Sequence, residues 1–325
     1  MDDLSLVRQY KKDSALTIFN PSPAYLVTGS SELDENDENF TGQNKYRGVN
    51  PSTGLVIYYQ LPTVKNGVSI SLEIKDAEGN IVRTFSSKAD STYKKYDGAP
   101  PKDAVLSKTK GLNRFVWDMR YPTIPGITNA YIESSYIGHK ASPGKYTVSL
   151  QMGDQKISTE AELLANPLYS ITNATYKEYH TVMNGMETAL TTMHRMINSM
   201  NAKRIQLESI LGNLPSIEKY NTIRTDGQAL VKKMKEWDED MIQRKSKAYD
   251  DVENFPNKFT ANYMFLANQT ENDIPRVNQP NLDLLKELNA QWAVLQSRGN
   301  EIIDTNIPAF NKRLWEAGVG AIWDK

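Results

Sequence analysis

The chain has 325 residues, 39% of them hydrophobic and 24% charged, and its 38 Lys and Arg balance 39 Asp and Glu to a net charge of −1. That balance argues against nucleic acid or an anionic membrane as a partner, because both are bound through a concentrated positive field. The absence of cysteine removes disulfides, thiolate nucleophiles and cysteine-ligated metals, and no apolar run approaches the roughly 20 residues that cross a bilayer as a helix.

Residues 1–50 read as an irregular lead-in. The start, Met1-Asp2-Asp3-Leu4, lacks the basic and apolar regions of a signal peptide. Ser22-Pro23, Gly29-Ser30-Ser31 and the acidic tract from Asp34 to Asn39 are loop signals. With little apolar content, the segment is expected to lie across a neighbouring domain or to stay partly disordered. The tract 34–39 gathers several oxygens, as a calcium loop does. Asn39, however, stands where an EF-hand loop has its glycine, so a solvated acidic loop is the reading.

Residues 51–166 read as strands. Leu55–Leu61 is a rich β run, and Val68–Ile74 alternates apolar and polar residues as a half-buried strand does. Asp76–Asn80, with Gly79, forms a hairpin turn into Ile81–Phe85. Asn113–Met119, Lys145–Gln151 and Lys156–Leu163 follow, the last two joined at Gly153-Asp154. Short strands with such turns predict an immunoglobulin-like, fibronectin-type β-sandwich. Trp117 is large enough to plug its end. Asn113 and Asp118 read as structural, the latter bonding turn backbone. Two insertions, about 88–110 and 121–142, read as loops, the second a candidate for shaping a surface.

Residues 167–325 switch to helical period after Asn166-Pro167. Asn173 or Thr175 is the expected cap of a first helix. Its Tyr179, Val182, Met183, Met186, Leu190, Met193, Ile197 and Met200 recur at helical spacing, up to a stop at Gly212 and Pro215. The methionine stripe reads as core rather than as an adaptable binding groove. A second helix is expected from about Ile217 to Asp250 and a shorter one over Thr260–Asn268. A last one starts near Asn281, with Pro308 ending or kinking it. Long helices with short breaks predict an antiparallel helical bundle. The fold class is therefore α+β, and no internal repeat suggests a solenoid or propeller within the chain.

The chemistry-bearing residues are few. His139 sits in a loop. His180 and His194 fall on nearly one face of the first helix but about 21 Å apart at 1.5 Å per residue, too far to share a metal. All three read as ordinary histidines. No HExxH, G-x-S-x-G or glycine-rich phosphate loop occurs. The run Glu236-Trp237-Asp238-Glu239-Asp240 reads as a helix surface flanking a buried Trp rather than as a catalytic carboxylate pair. No catalytic, cofactor-binding or metal-binding residue is assigned.

The turn at Asp76–Asn80, the stretch from Gly111 to Pro122 and Pro143–Val148 together resemble the C-terminal region of large bacterial sortilin-like exoproteins. These carry BNR/Asp-box repeats and the description glycosyl hydrolase. Asp76–Arg83, Trp117-Asp118 and Pro143–Tyr146 also resemble the Ig-like domain of flagellar hook-capping proteins. Asp2–Gln9 resembles the segment that leaves the propeller in the larger family; Asn50–Gly54 with Tyr58-Tyr59, and Phe310-Asn311-Lys312, fit it too. No Ser-x-Asp-x-Gly-x-x-Trp box occurs here, so the hydrolase description attaches to no residue of this chain. The resemblance implies a non-catalytic accessory module of an exported protein of the bacterial envelope or exterior, with its export signal outside this chain. Such a module would brace a propeller or contact another envelope protein or a glycan. The alternatives it leaves are part of a glycosidase-related hydrolase whose site lies in the propeller, and an assembly or secretion component that grips a partner through its helices.

Overall fold

A computed structural model describes residues 5–10, 12, 15–27, 52–272 and 275–323; the acidic tract 34–39 lies outside them. The chain is α+β. Among the described residues a short helix, α1 (Ser5–Gln9), precedes eight strands: β1 (Thr17–Ile18), β2 (Ala24–Tyr25), β3 (Leu55–Leu61), β4 (Ile70–Lys75), β5 (Ile81–Ser86), β6 (Gly111–Trp117), β7 (Gly144–Met152) and β8 (Gln155–Leu164). They form one sheet in the order β1-β3-β6 and a second in the order β2-β8-β7-β4-β5. The lead-in thus adds a short edge strand to each sheet, β1 antiparallel to β3 and β2 parallel to β8.

The period of two sets which side chains enter the core. Leu55, Ile57, Tyr59 and Leu61 of β3 alternate inward, as do Ile70, Leu72 and Ile74 of β4 and Tyr146, Val148 and Leu150 of β7. Side chains of both sheets share one apolar cluster. Trp117 is fully buried in it, edge-on to Tyr146 with ring centroids 5.6 Å apart, and its Nε1 donates to the carbonyl of Arg120 at 3.1 Å. Asn113 and Asp118 bind turn and loop groups: Asn113 donates to the carbonyls of Thr109 and Gly111, and Asp118 accepts from the Arg120 amide.

The helices follow: α2 (Asn173–Asn213), α3 (Asn221–Met241), α4 (Phe259–Thr270), α5 (Gln279–Asn300) and α6 (Ile307–Glu316). At 41 residues, α2 is about 60 Å long. Its cap is Thr172, whose Oγ1 accepts from the Thr175 amide at 3.2 Å, in place of the expected Asn173 or Thr175. The second helix is shorter than its periodicity suggests. It ends at Met241, where Ile242 turns extended, and a separate 3-10 turn covers Tyr249–Glu253. Contacts of Gly227 with Leu211 and of Lys235 with Glu208 show α3 running back along α2. Gly299 of α5 is packed where a Cβ would meet Met196 at 2.7 Å and Trp237 at 3.0 Å. Pro308 does not end the helical run. A π turn at Glu301–Asn306 precedes it and Pro308 stands in the first turn of α6. The wider turn accommodates the residue whose ring would clash with a carbonyl four residues back.

The segment 121–142 departs most from its expected role. Ile124, Ile127, Ala130, Ile132 and Tyr136 are buried in the helical core beside Met183, Met186 and Leu190. The segment folds back on itself through Tyr121 N to His139 O at 3.0 Å and Ile124 N to Tyr136 O at 2.8 Å. It is irregular, as a loop is, but it forms an apolar wedge from the sheet layer into the helices. Among the described residues, no helix is long and apolar enough to cross a membrane.

Candidate functional site

The wedge carries a concentrated polar arrangement. His180 and Glu187 lie seven residues apart on α2, about two turns, and so on one face. The wedge lays His139 against both. The carboxylate of Glu187 accepts from the His139 amide at 2.7 Å and from its Nδ1 at 2.9 Å, and His139 Nε2 lies 2.9 Å from His180 Nδ1. Gly138 makes this approach possible. A Cβ there would lie 2.4 Å from the carbonyl oxygen of Tyr121 and 2.6 Å from that of Pro122. Tyr121 covers the rings, nearly parallel to His139 with centroids 4.3 Å apart and 5.0 Å from His180.

A carboxylate only accepts, so His139 Nδ1 carries a proton. Two N–H groups cannot face each other at hydrogen-bond distance, so one proton lies between the imidazoles. The result is a chain from Glu187 through His139 to His180. Burial and then the charge on His139 hold His180 below the ordinary histidine value, against the carboxylates of Glu187 and Asp76. The Tyr121 hydroxyl is pushed up to about 12, by burial first and then by Asp76, Glu187 and Glu78.

Beside the chain, Arg120 Nη1 donates to the carbonyl of Gly138 at 2.8 Å and to Glu271 Oε1, just past α4, at 3.2 Å. Arg120, Glu187 and Glu271 line a cavity of about 220 Å³ whose apolar walls include Met183, Leu190 and Ala267. Tyr179 has a buried hydroxyl with no hydrogen-bond partner among the described residues. Burial raises its pKa, and Glu271, Arg120 and Glu187 act on it electrostatically.

The third histidine stands apart. His194 is buried, donates through Nδ1 to the carbonyl of Pro125 at 2.6 Å and leaves Nε2 without a hydrogen-bond partner among the described residues. Burial lowers it to about 4, against the Pro125 hydrogen bond. One turn on, Asn198 donates to the carbonyl of Gly126 and accepts from the Thr128 amide. Together they fasten the wedge to α2.

Three of the four carboxylates around Trp237 are bound in ion pairs. Asp238 is buried rather than on the surface and takes both arms of Arg244 at 2.6 and 2.7 Å; Asp240 pairs with Arg298 and Glu236 with Lys232. The Trp237 ring is buried, its Nε1 donating to the carbonyl of Leu295. Among the described residues, no group of three or more His, Asp or Glu is spaced to hold a metal. Sequence reading placed His139 and His180 as unrelated residues and missed Glu187, Arg120 and Glu271. The one local signal was the seven-residue spacing of His180 and Glu187. No protein-family model, curated protein or solved structure matches the chain.

Proposed function

We propose that this chain is the C-terminal accessory module of an exported bacterial propeller protein, an immunoglobulin-like sandwich joined to an antiparallel helical bundle. It braces the propeller and presents a surface for protein or glycan contact. The observation that carries this reading is the wedge of residues 121–142. Five of its apolar side chains enter the helical core, its His139 amide and the Pro125 carbonyl are tied to α2, and Arg120, just before it, bonds both the Gly138 carbonyl and Glu271. A brace must transmit load between its layers without hinging. An interface that is both apolar and hydrogen-bonded across several points resists hinging, because opening it exposes buried surface and unpairs polar groups together. The sequence likeness described above supplies the propeller and the exported setting.

The test has two arms. The purified chain is assayed against a broad panel of glycosides and peptides, and its binding to a separately expressed Asp-box propeller of the resembling family is measured by calorimetry. Binding without turnover is expected. Turnover that a single carboxylate substitution abolishes would overturn the accessory role in favour of a hydrolase.

A further inference from the structure

The cavity of about 220 Å³ between the wedge and helices α2 and α4 has a composition that a packing void does not need. A void between apolar layers is normally lined by apolar atoms alone. This one has one cation, Arg120, two carboxylates, Glu187 and Glu271, and an apolar wall that includes Met183, Leu190 and Ala267.

The bonding of these groups leaves capacity on one side. Both side-chain hydrogen bonds of Arg120 leave from Nη1. Among the described residues its Nη2 and Nε, the edge of the guanidinium that grips a carboxylate with two parallel bonds, donate to nothing. Glu271 accepts Arg120 on Oε1, which leaves Oε2 for a second donor. Glu187 is held on both oxygens by His139, so its charge faces the cavity from a fixed position. The lining therefore offers a carboxylate-binding edge next to an excess of negative charge, with an apolar wall alongside.

We propose that this cavity binds a small zwitterion with an apolar body, an α-amino acid of medium size. The carboxylate sits on the free edge of Arg120, the ammonium between Glu271 and Glu187, and the side chain on Met183, Leu190 and Ala267. The volume fixes the size class. A cavity of roughly 150 Å³ holds benzene, so this one takes a leucine, methionine or valine but not an indole ring together with its zwitterionic head. The proposal goes beyond the accessory role and does not depend on it.

Isothermal calorimetry on the full chain tests it, with leucine, methionine and valine as probes. Two truncated analogues accompany them: 4-methylpentanoate, which lacks the ammonium, and 3-methylbutylamine, which lacks the carboxylate. At least one amino acid is expected to bind at concentrations up to roughly 10 mM, with each analogue weaker by about tenfold or more, because each leaves one charge of the site unanswered. Ala267→Leu, which fills the apolar wall, is expected to abolish binding while the circular dichroism spectrum is kept. No heat from any of the three amino acids, an analogue binding as tightly as its parent, or binding that survives in folded Ala267→Leu overturns the proposal. The analogue comparison decides the matter on the native chain if the filled variant does not fold.

Discussion

His139 Nε2 and His180 Nδ1 meet at 2.9 Å across the junction of the sheet layer and helix α2, and their pairing depends on a third group. Glu187 takes the amide and Nδ1 protons of His139 on its two oxygens, which fixes the ring and aims Nε2 at His180. Replacing the carboxylate by an amide, Glu187→Gln, keeps the shape but allows only one of the two protons an acceptor, while the amide NH2 confronts the other. A loss of about 1–3 kcal/mol is expected for a hydrogen bond to a charged group at this depth, read as a lower urea midpoint with an unchanged slope. A midpoint within error of the native chain would show that the carboxylate does not hold the ring.

The pH dependence follows from the buried imidazoles. His194 has a folded value of about 4, below its unfolded value near 6.5. Between these, the unfolded chain binds a proton that the folded chain refuses, so stability falls as pH is lowered from about 6.5 towards 4. A difference of about 2.5 units corresponds to about 3 kcal/mol. His180, lowered by burial and by His139, acts in the same sense. Urea unfolding at pH 7, 6 and 5 should show this decline, and His194→Gln should flatten it. An equally steep decline in that variant would locate the titration elsewhere.

Within the sheets, Trp117 is fully buried where both sheets meet Tyr146. Trp117→Ala should cost about 3–5 kcal/mol, and Trp117→Phe, which keeps most of the apolar volume but loses the bond to the Arg120 carbonyl, should cost less. Thermal melts of both variants check the order. Equal melting temperatures for Trp117→Ala and a surface control would contradict the burial.

What was legible in the sequence is what is encoded locally. The alternation in β3, β4 and β7 and the 3.6-residue spacing along α2 depend on neighbours two to four residues away, and those elements lie close to where the pattern places them. The junction is encoded otherwise. His139 and His180 are 41 residues apart in sequence and Arg120 and Glu271 are 151 apart, so no window contains either pair. The wedge hid its own role. Ile124, Ile127, Ala130, Ile132 and Tyr136 have no helical or strand period, and the Pro, Gly and Ser between them are turn formers. Asp238 was misplaced for the converse reason: a charged residue on a helix reads as solvated unless its cation, here Arg244 in the following loop, is known to fold back on it.

The wedge therefore makes the sharpest stability prediction. Ile127 is fully buried among the helices although it sits in irregular backbone. Its neighbours are held by Asn198, which bonds the Gly126 carbonyl and the Thr128 amide, so the backbone cannot readily collapse into the space that a smaller side chain would leave. Ile127→Ala should cost about 2–5 kcal/mol, as in a regular core, whereas a substitution in an open surface loop stays within about 0.5 kcal/mol. Hydrogen exchange supplies the second reading. Loss of the Ile127 side chain should speed exchange at the Ile124, Ala130 and His139 amides, all hydrogen-bonded within the wedge or to Glu187, and at α2 amides facing it. Amides of the β4–β7 ladder, on the far side of the junction, should keep their protection. Faster exchange confined to residues 124–130, with α2 unchanged, would mean that the wedge rests on the helices without supporting them.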